Sequence, residues 1–272
     1  MLANKLGFKR KNLRHGSAAL FGHFKNVHRH EGEDGGLISV CWFDYGWVWM
    51  IPLPDGVMSI GAVCDPDYLR SRKTSPEDFL MQTLRMTAPA VQERLKDAEL
   101  ITAVSATGNY SYQCDEMCLP GAILVGDAYG FVDPVFSSGV LLGMRSALRG
   151  ADYVDAVLND CPTASQKKQH FEHLTRRSIK DFSWMISRFN SPSIRLLFMH
   201  PANPLRVQEA VISLLAGDID RDNGVRPRLR FFQAVYYLYA LIQPFATWAE
   251  WKRRRQRAHI DFTGVTTEVD TA

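Results

Sequence analysis

The stretch Gly126-Asp127-Ala128-Tyr129-Gly130 sets one carboxylate between glycines at the end of an apolar run that begins at Gly121. A carboxylate at a strand end accepts hydrogen bonds from a ribose or another polyol, and flanking glycines let the backbone approach the same ligand closely. A few residues on, Pro134-Val135-Phe136-Ser137-Ser138-Gly139 opens a long apolar segment. It therefore delivers a helix start, whose free N–H groups and positive dipole end suit an anion or the electron-rich edge of a flavin ring. The same letters also describe an ordinary loop with an Asp turn and a Ser cap. Upstream, Trp47 and Trp49 stand two apart in an extended segment. That spacing turns both indoles to one face and makes a flat, rigid wall, although two such aromatics are equally at home in a sheet core.

These residues need elements to hold them. Ser17 to Phe24, Leu37 to Phe43, Gly46 to Leu53 and Val57 to Val63 are short aliphatic and aromatic segments separated by Gly, Asp and Pro, and together they predict an antiparallel meander. Pro54-Asp55-Gly56 has the composition of a tight hairpin, with Gly supplying positive φ. Ser75-Pro76-Glu77-Asp78 carries a cap, a first-turn proline and acidic residues, so a helix starts there. A second helix is expected over Ala90 to Ala98, and Leu100 to Tyr112 reads as a stretch that rejoins the sheet. Gly121 to Val125 reads as a buried strand, and Ser138 to about Leu158 as a helix. From Thr163 onward the pattern is helical, with breaks at Ser191-Pro192, Pro201 to Pro204, Asn223-Gly224 and Pro227.

Bulk properties narrow the function classes. The 272 residues are 46% hydrophobic and 22% charged, which is ordinary for a globular protein and excludes disorder and collagen-like repeats. The net charge of +3 is small, and much of the excess sits in Lys252-Arg253-Arg254-Arg255-Gln256-Arg257, so no distributed nucleic-acid footprint exists. Five cysteines, Cys41, Cys64, Cys114, Cys118 and Cys161, lack C-x-x-C spacing and read as reduced thiols. Cys114 and Cys118 have no second ligand pair at a suitable spacing, so no metal is assigned. The basic start contains no apolar signal core, and a cytoplasmic location is expected. Phe231 to Ala249 is uncharged but interrupted by Gln233, Gln243, Pro244 and Thr247. It suits a helix pair packed on the protein and broken near Pro244 better than a membrane span.

Gly126-Asp127-Ala128-x-Gly130-Phe131-x-Asp133-Pro134 resembles the second flavin-contacting motif of FAD-dependent aromatic hydroxylases, geranylgeranyl-reductase-like enzymes and halogenases. Trp47-Val48-Trp49-Met50-Ile51-Pro52 is similar, without a mismatch, to the W-x-W-x-I-P signature of flavin-dependent halogenases. The resemblance covers most of the chain to about Leu158 and is vague in the helical tail. It implies reduced FAD and chloride or bromide as cofactors, with a flavin reductase as partner. Gly126, Asp127, Gly130, Pro134, Ser138 and Gly139 would contact the flavin, and the backbone at Ser138 and Gly139 would hold the halide. Trp47, Trp49 and Pro52 would partition substrate from flavin. Phe136 stands where halogenases of free tryptophan carry a glutamate, which points toward phenol and pyrrole halogenases, some with substrates tethered to a carrier protein.

Two parts of the family pattern are not in the chain. No two of its glycines are separated by a single residue, so a Gly-x-Gly-x-x-Gly pyrophosphate turn does not occur. The resemblance also places the directing lysine upstream of Met1-Leu-Ala-Asn-Lys-Leu-Gly, and Lys5, Lys9 and Lys11 read as solvated. The expectation is an N-terminally truncated halogenase whose remaining apolar surface favours self-association or a partner. The competing readings are a FAD monooxygenase or reductase of the same fold, and an inert fragment acting through a partner chain. The expected architecture is α+β: a substrate-side sheet with helices over 1–120, a flavin-domain remnant over 121–158 and a helical region over 159–272. Aromatics of the tail, among them Phe182, Trp184, Phe189, Tyr236 and Tyr237, are candidates to line a substrate pocket or simply to pack helices.

Overall fold

The computed structural model describes residues 5, 7–11, 17–108, 111–200, 202–218, 224–242, 249 and 252. Their contacts divide them into two compact units, one within Leu13–Tyr110 and the other formed by Met1–Asn12 together with Ser111–Arg253. Pro244 and the basic run beyond Lys252 lie outside the described residues.

Strand β1 (Lys9–Lys11) belongs to the second unit. The first unit is a six-stranded antiparallel sheet built from β2 (Ala18–Lys25), β3 (Ser39–Phe43), β4 (Gly46–Pro52), β5 (Met58–Cys64), β6 (Glu99–Leu100) and β7 (Ser105–Gly108). The order is β3-β4-β5-β2, with both β6 and β7 on the free side of β2. The expected extended stretch from Leu100 to Tyr112 is thus two short sheet strands, and Tyr112 goes to the other unit.

Alternation sorts β4 by face. Val48 and Met50 join Leu20, Phe24 and Ile60 in a core covered by helices α1 (Pro66–Arg70), α2 (Pro76–Leu84) and α3 (Pro89–Arg94). Trp47 and Trp49 take the other face. The β4–β5 hairpin closes through Asp55 (φ 57°) and Gly56 (φ 74°), with the Val57 N–H donating to the Pro54 carbonyl at 3.2 Å. Two successive positive φ values make a type I′ turn, whose twist matches that of the strands. Helix α3 ends at Arg94, short of the expected Ala98.

The Ser75 hydroxyl accepts from the Asp78 N–H at 3.0 Å and donates to the Asp78 carboxylate at 2.9 Å, closing the start of α2. Ser75→Ala should cost about 1 kcal/mol, seen as a lower urea midpoint at unchanged slope. An unmoved midpoint would show that the cap contributes nothing.

In the second unit β8 (Tyr112–Cys114) lies between β1 and β11 (Gly130–Phe131), and β9 (Cys118–Leu119) pairs with β10 (Ala122–Ile123). The strand expected over Gly121 to Val125 is therefore only two residues of ladder. Its one strand neighbour among the described residues, β9, is itself two residues long, and pairing ends where that neighbour ends. The helices are α4 (Gly139–Leu158), α5 (Ala164–Ile186), α6 (Pro192–Met199), α7 (Val207–Leu215) and α8 (Val225–Ile242). Pro227 does not break the chain as expected. It falls in the first turn of α8, where its missing N–H has no intrahelical acceptor to lose. No helix of the described residues is long and apolar enough to cross a membrane. On α4, Val140, Met144 and Leu148 recur every fourth residue and are 75%, 64% and 70% exposed, forming an apolar stripe.

All five cysteines are free thiols. Burial, followed by the nearby Glu172 carboxylate, pushes the Cys118 thiol up to about 11. An unfolded chain releases this proton near its ordinary value of 9.0 and the native one only near 11, so stability falls as pH rises across that window. Cys118→Ala should flatten this alkaline loss in urea titrations. An identical loss in the variant would assign it to other groups.

Candidate active site

Gly126, Asp127, Gly130, Pro134, Ser138 and Gly139 all line one cavity of the second unit, with ≈ 610 Å³ of open space counting its mouth. The strand end and the helix start thus face a common volume. Phe131 and Val132, Leu142, Arg145, Ser146 and Arg149 of α4, and Thr175, Ser178 and Ile179 of α5 complete the lining.

Gly126 begins a 3-10 turn, Gly126–Ala128, at φ 52°. Its N–H donates to the Ser146 hydroxyl at 2.9 Å, which in turn donates to the Gly143 carbonyl at 2.9 Å. A Cβ on Gly126 would stand 3.0 Å from the Gly143 Cα, so only glycine lets the turn sit this low on α4. The turn leaves Asp127 exposed.

Tyr112 supports the turn from the other side by donating its hydroxyl to the Asp127 carbonyl. Burial first, and then the Asp127 charge, raise the Tyr112 hydroxyl above its usual range, which keeps the donated proton in place. The Lys9 ammonium lies 3.7 Å from the centre of the Tyr112 ring. Lys9 is therefore not simply solvated, as expected from sequence, but buttresses the aromatic that holds Asp127.

The loop before α4 is strained. Ser137 takes φ 51°, a conformation that costs a non-glycine residue roughly 1 kcal/mol or more, and its N–H donates to the Pro134 carbonyl at 2.8 Å. Ser138 is helical in backbone, is 3% exposed and makes no side-chain cap, so the capping alternative does not describe it. The first helical bond is from the Leu142 N–H to the Ser138 carbonyl at 3.0 Å. N–H groups of the first turn have no intrahelical acceptor, and the space above Gly139 is open to at least 4 Å. The Phe136 ring packs edge-on against Phe189, 5.4 Å away.

Sequence reading missed Arg145 and Arg149. Ser138, Leu142, Arg145, Ser146 and Arg149 lie on one helical face, and two guanidiniums inside an apolar helix on the same face as its start were the available signal. Arg149 reaches the Ser178 hydroxyl at 3.5 Å. The Thr175 hydroxyl is buried without a hydrogen-bond partner. The lining thus offers a helix start, two fixed cations and an unengaged hydroxyl, with Asp127 as its one carboxylate. Such a set holds an anion and, at its glycine-lined side, a flat polar ring.

The Trp47 and Trp49 rings are 5.9 Å apart at 51°, and Phe21 lies 5.9 Å from Trp49. Trp49 donates to the Ser59 hydroxyl at 3.2 Å. Its ring lies across Gly61, where a Cβ would come within 2.2 Å. Pro52 ends the strand opposite Met58. This aromatic face belongs to the first unit. Of the tail aromatics, Phe182, Phe189 and Tyr236 are buried packing residues, whereas Trp184 lines a second cavity.

The tryptophan halogenase family model matches residues 37–195, more than half of the 272, and the chain belongs to that family. It is 27% identical to the 1H-pyrrole-2-carbonyl-(peptidyl-carrier protein) chlorinase of Pseudomonas fluorescens over 80% of this chain and 49% of that protein. The flavin-dependent brominase Bmp2 shares the fold with TM-score 0.72 at 22% identity, over 85% of this chain and 57% of that one. The myxobacterial chondrochloren halogenase CndH, a FAD-dependent halogenase, aligns with TM-score 0.62 and 29% identity over 80% of this chain and 52% of that one. The chain spans about half the length of these relatives.

Proposed function

We propose that this chain carries the flavin-edge, halide and substrate-side parts of a flavin-dependent halogenase acting on an electron-rich aromatic or pyrrole ring, free or tethered to a carrier protein. The observation that carries the reading is the convergence of the six motif residues on one cavity beside Arg145 and Arg149. Reduced FAD, when bound, supplies with dioxygen the oxidation of the halide. The chain's own residues position and exclude. Asp127 accepts hydrogen bonds from the flavin's polyol arm, while Gly126, Gly130 and Pro134 shape a close approach. The backbone amides of Ser138 and Gly139 hold chloride or bromide, and the two arginines raise the potential there. Trp49, packed at an angle on the buried Trp47 and with Pro52 at the end of the same strand, gives the substrate ring an apolar aromatic surface. No lysine of this chain is assigned to the transfer step. The sequence holds no Gly-x-Gly-x-x-Gly turn, and the ADP end of FAD is assigned to no residue of this chain.

The test titrates residues 1–272 with FAD, followed by flavin fluorescence and by sizing, alone and with the nucleotide-binding half of a longer relative added as a second chain. The chain alone should bind weakly and self-associate through the α4 stripe, and the added half should restore tight binding. With flavin reductase, oxygen and a phenol or pyrrole, mass spectrometry should then show halide-dependent halogenation. Oxygen insertion indifferent to halide would replace this reading by a monooxygenase. Stoichiometric FAD binding by a monomeric chain would overturn the assignment of the ADP contacts.

A further inference from the structure

The second unit contains a wider cleft between α5 and α8, to which α7 adds Leu214. Its open space is ≈ 1000 Å³, mouth included, and none of its lining residues belongs to the cavity under Gly126. The apolar part is Trp184, Met185, Leu214, Leu229 and Phe232, and the polar part is dominated by Arg177, Lys180, Arg226 and Arg230 against one carboxylate, Asp181. Spacing explains the juxtaposition. Arg177, Lys180, Asp181 and Trp184 share one face of α5, and Arg226, Leu229, Arg230 and Gln233 share one face of α8.

Arg177, Lys180 and Arg230 make no hydrogen bond or ion pair among the described residues. Four like charges gathered on two adjacent helices beside a single carboxylate, Asp181, oppose folding, and an incoming anion lowers that penalty. The cations edge an aromatic and aliphatic floor, so the fitting ligand is anionic at one end and extended and partly apolar along its length. A phosphopantetheine arm has this character, with a phosphodiester at its root and a chain of amides and methylenes beyond. The carrier protein that bears it adds acidic surface of the complementary sign.

We propose that this cleft docks the phosphodiester and adjoining arm of an acidic carrier protein that delivers the substrate. The proposal rests on reading the chain as a halogenase of tethered rings. A relative named for a peptidyl-carrier substrate supports that choice of partner. Arg177 and Lys180 meet the phosphate, Trp184 and Phe232 support the arm, and Arg230 faces the carrier's acidic residues.

The experiment measures binding of the full chain, by anisotropy, to a labelled acidic peptidyl-carrier protein with its phosphopantetheine arm, to the same carrier without the arm, and to an oligonucleotide of matched charge. The armed carrier should bind about fivefold more tightly than the unarmed one. Arg177→Glu combined with Arg230→Glu should weaken the armed complex by roughly tenfold or more, and rising salt should do the same. Arg177→Gln with Arg230→Gln provides a milder pair should charge reversal disturb the fold. Equal binding of armed and unarmed carrier, tighter binding of the oligonucleotide, or unchanged affinity in both variant pairs would overturn the proposal. Halide-dependent chemistry on a free ring with no carrier binding would defeat the docking cleft and leave the halogenase reading intact. Carrier binding without any such chemistry would do the reverse.

Discussion

Gly126→Val should destabilise the chain by roughly 3 kcal/mol, from about 1–2 kcal/mol for a branched side chain at positive φ and a further 1–3 kcal/mol for overpacking. The position already stands at φ 52°, and an added Cβ would meet the Gly143 Cα at 3.0 Å, a backbone atom in the second turn of α4 that has no rotamer to yield. Relief requires lifting the turn, which breaks the bond from the Gly126 N–H to Ser146 and moves Asp127 away from the cavity. A urea midpoint should record the loss, and flavin affinity should fall with it. Gly143→Ala is the control. Seen from Gly143 the nearest atom is the Gly126 Cα at 3.8 Å, an ordinary contact, and alanine favours a helix interior. That variant should be neutral or slightly stabilised. A wild-type midpoint for Gly126→Val would mean that the turn does not rest on α4.

Arg149→Glu should weaken halide and flavin binding by roughly ten- to a hundredfold, the scale of one charge acting through a partly screened cavity several ångströms across. Calorimetric titration with bromide and fluorescence titration with FAD would read it, and Arg149→Lys should recover part of the loss. Thr175→Val tests the same wall independently. Its hydroxyl is buried with no partner, so valine should stabilise the free protein by about 1 kcal/mol. If that hydroxyl serves a ligand, affinity should drop while stability rises. A gain in stability with no change in affinity would make Thr175 a packing residue.

The elements that declare themselves by local pattern were legible in the sequence. The hairpin around Asp55 and Gly56, the capped start at Ser75 and the limits of α4 depend on residues within a turn or two of one another. The convergence of Gly126, Asp127 and Gly130 with Ser138 and Gly139 was also readable, because the fourteen residues from Gly126 to Gly139 have few ways to fold apart. What escaped depended on partners distant in sequence. A run such as Gly121 to Val125 is apolar whatever lies beside it, but its ladder extends only as far as β9 does. Lys9 looked solvated until β1 was paired with β8 and brought it over Tyr112. Arg145 and Arg149 were hidden by the apolar average of α4, and the cations of the second cleft by the 38 residues between α5 and α8.

The pairing of Lys11 with Tyr112 joins two strands of one unit that flank, in sequence, all the strands of the other. During synthesis β1 leaves the ribosome before β8 and, at the usual pace of elongation, waits about 5–20 s for it. The flanked sheet is continuous in sequence and folds within that interval, closing its hairpins locally. The other unit assembles only after the chain has been read through α4 and α5, so the cavity under Gly126 forms after the sheet. Until β8 emerges, β1 lacks that partner. A translational pause just beyond residue 110 would lengthen that exposure, whereas one within α5 would leave the sheet untouched.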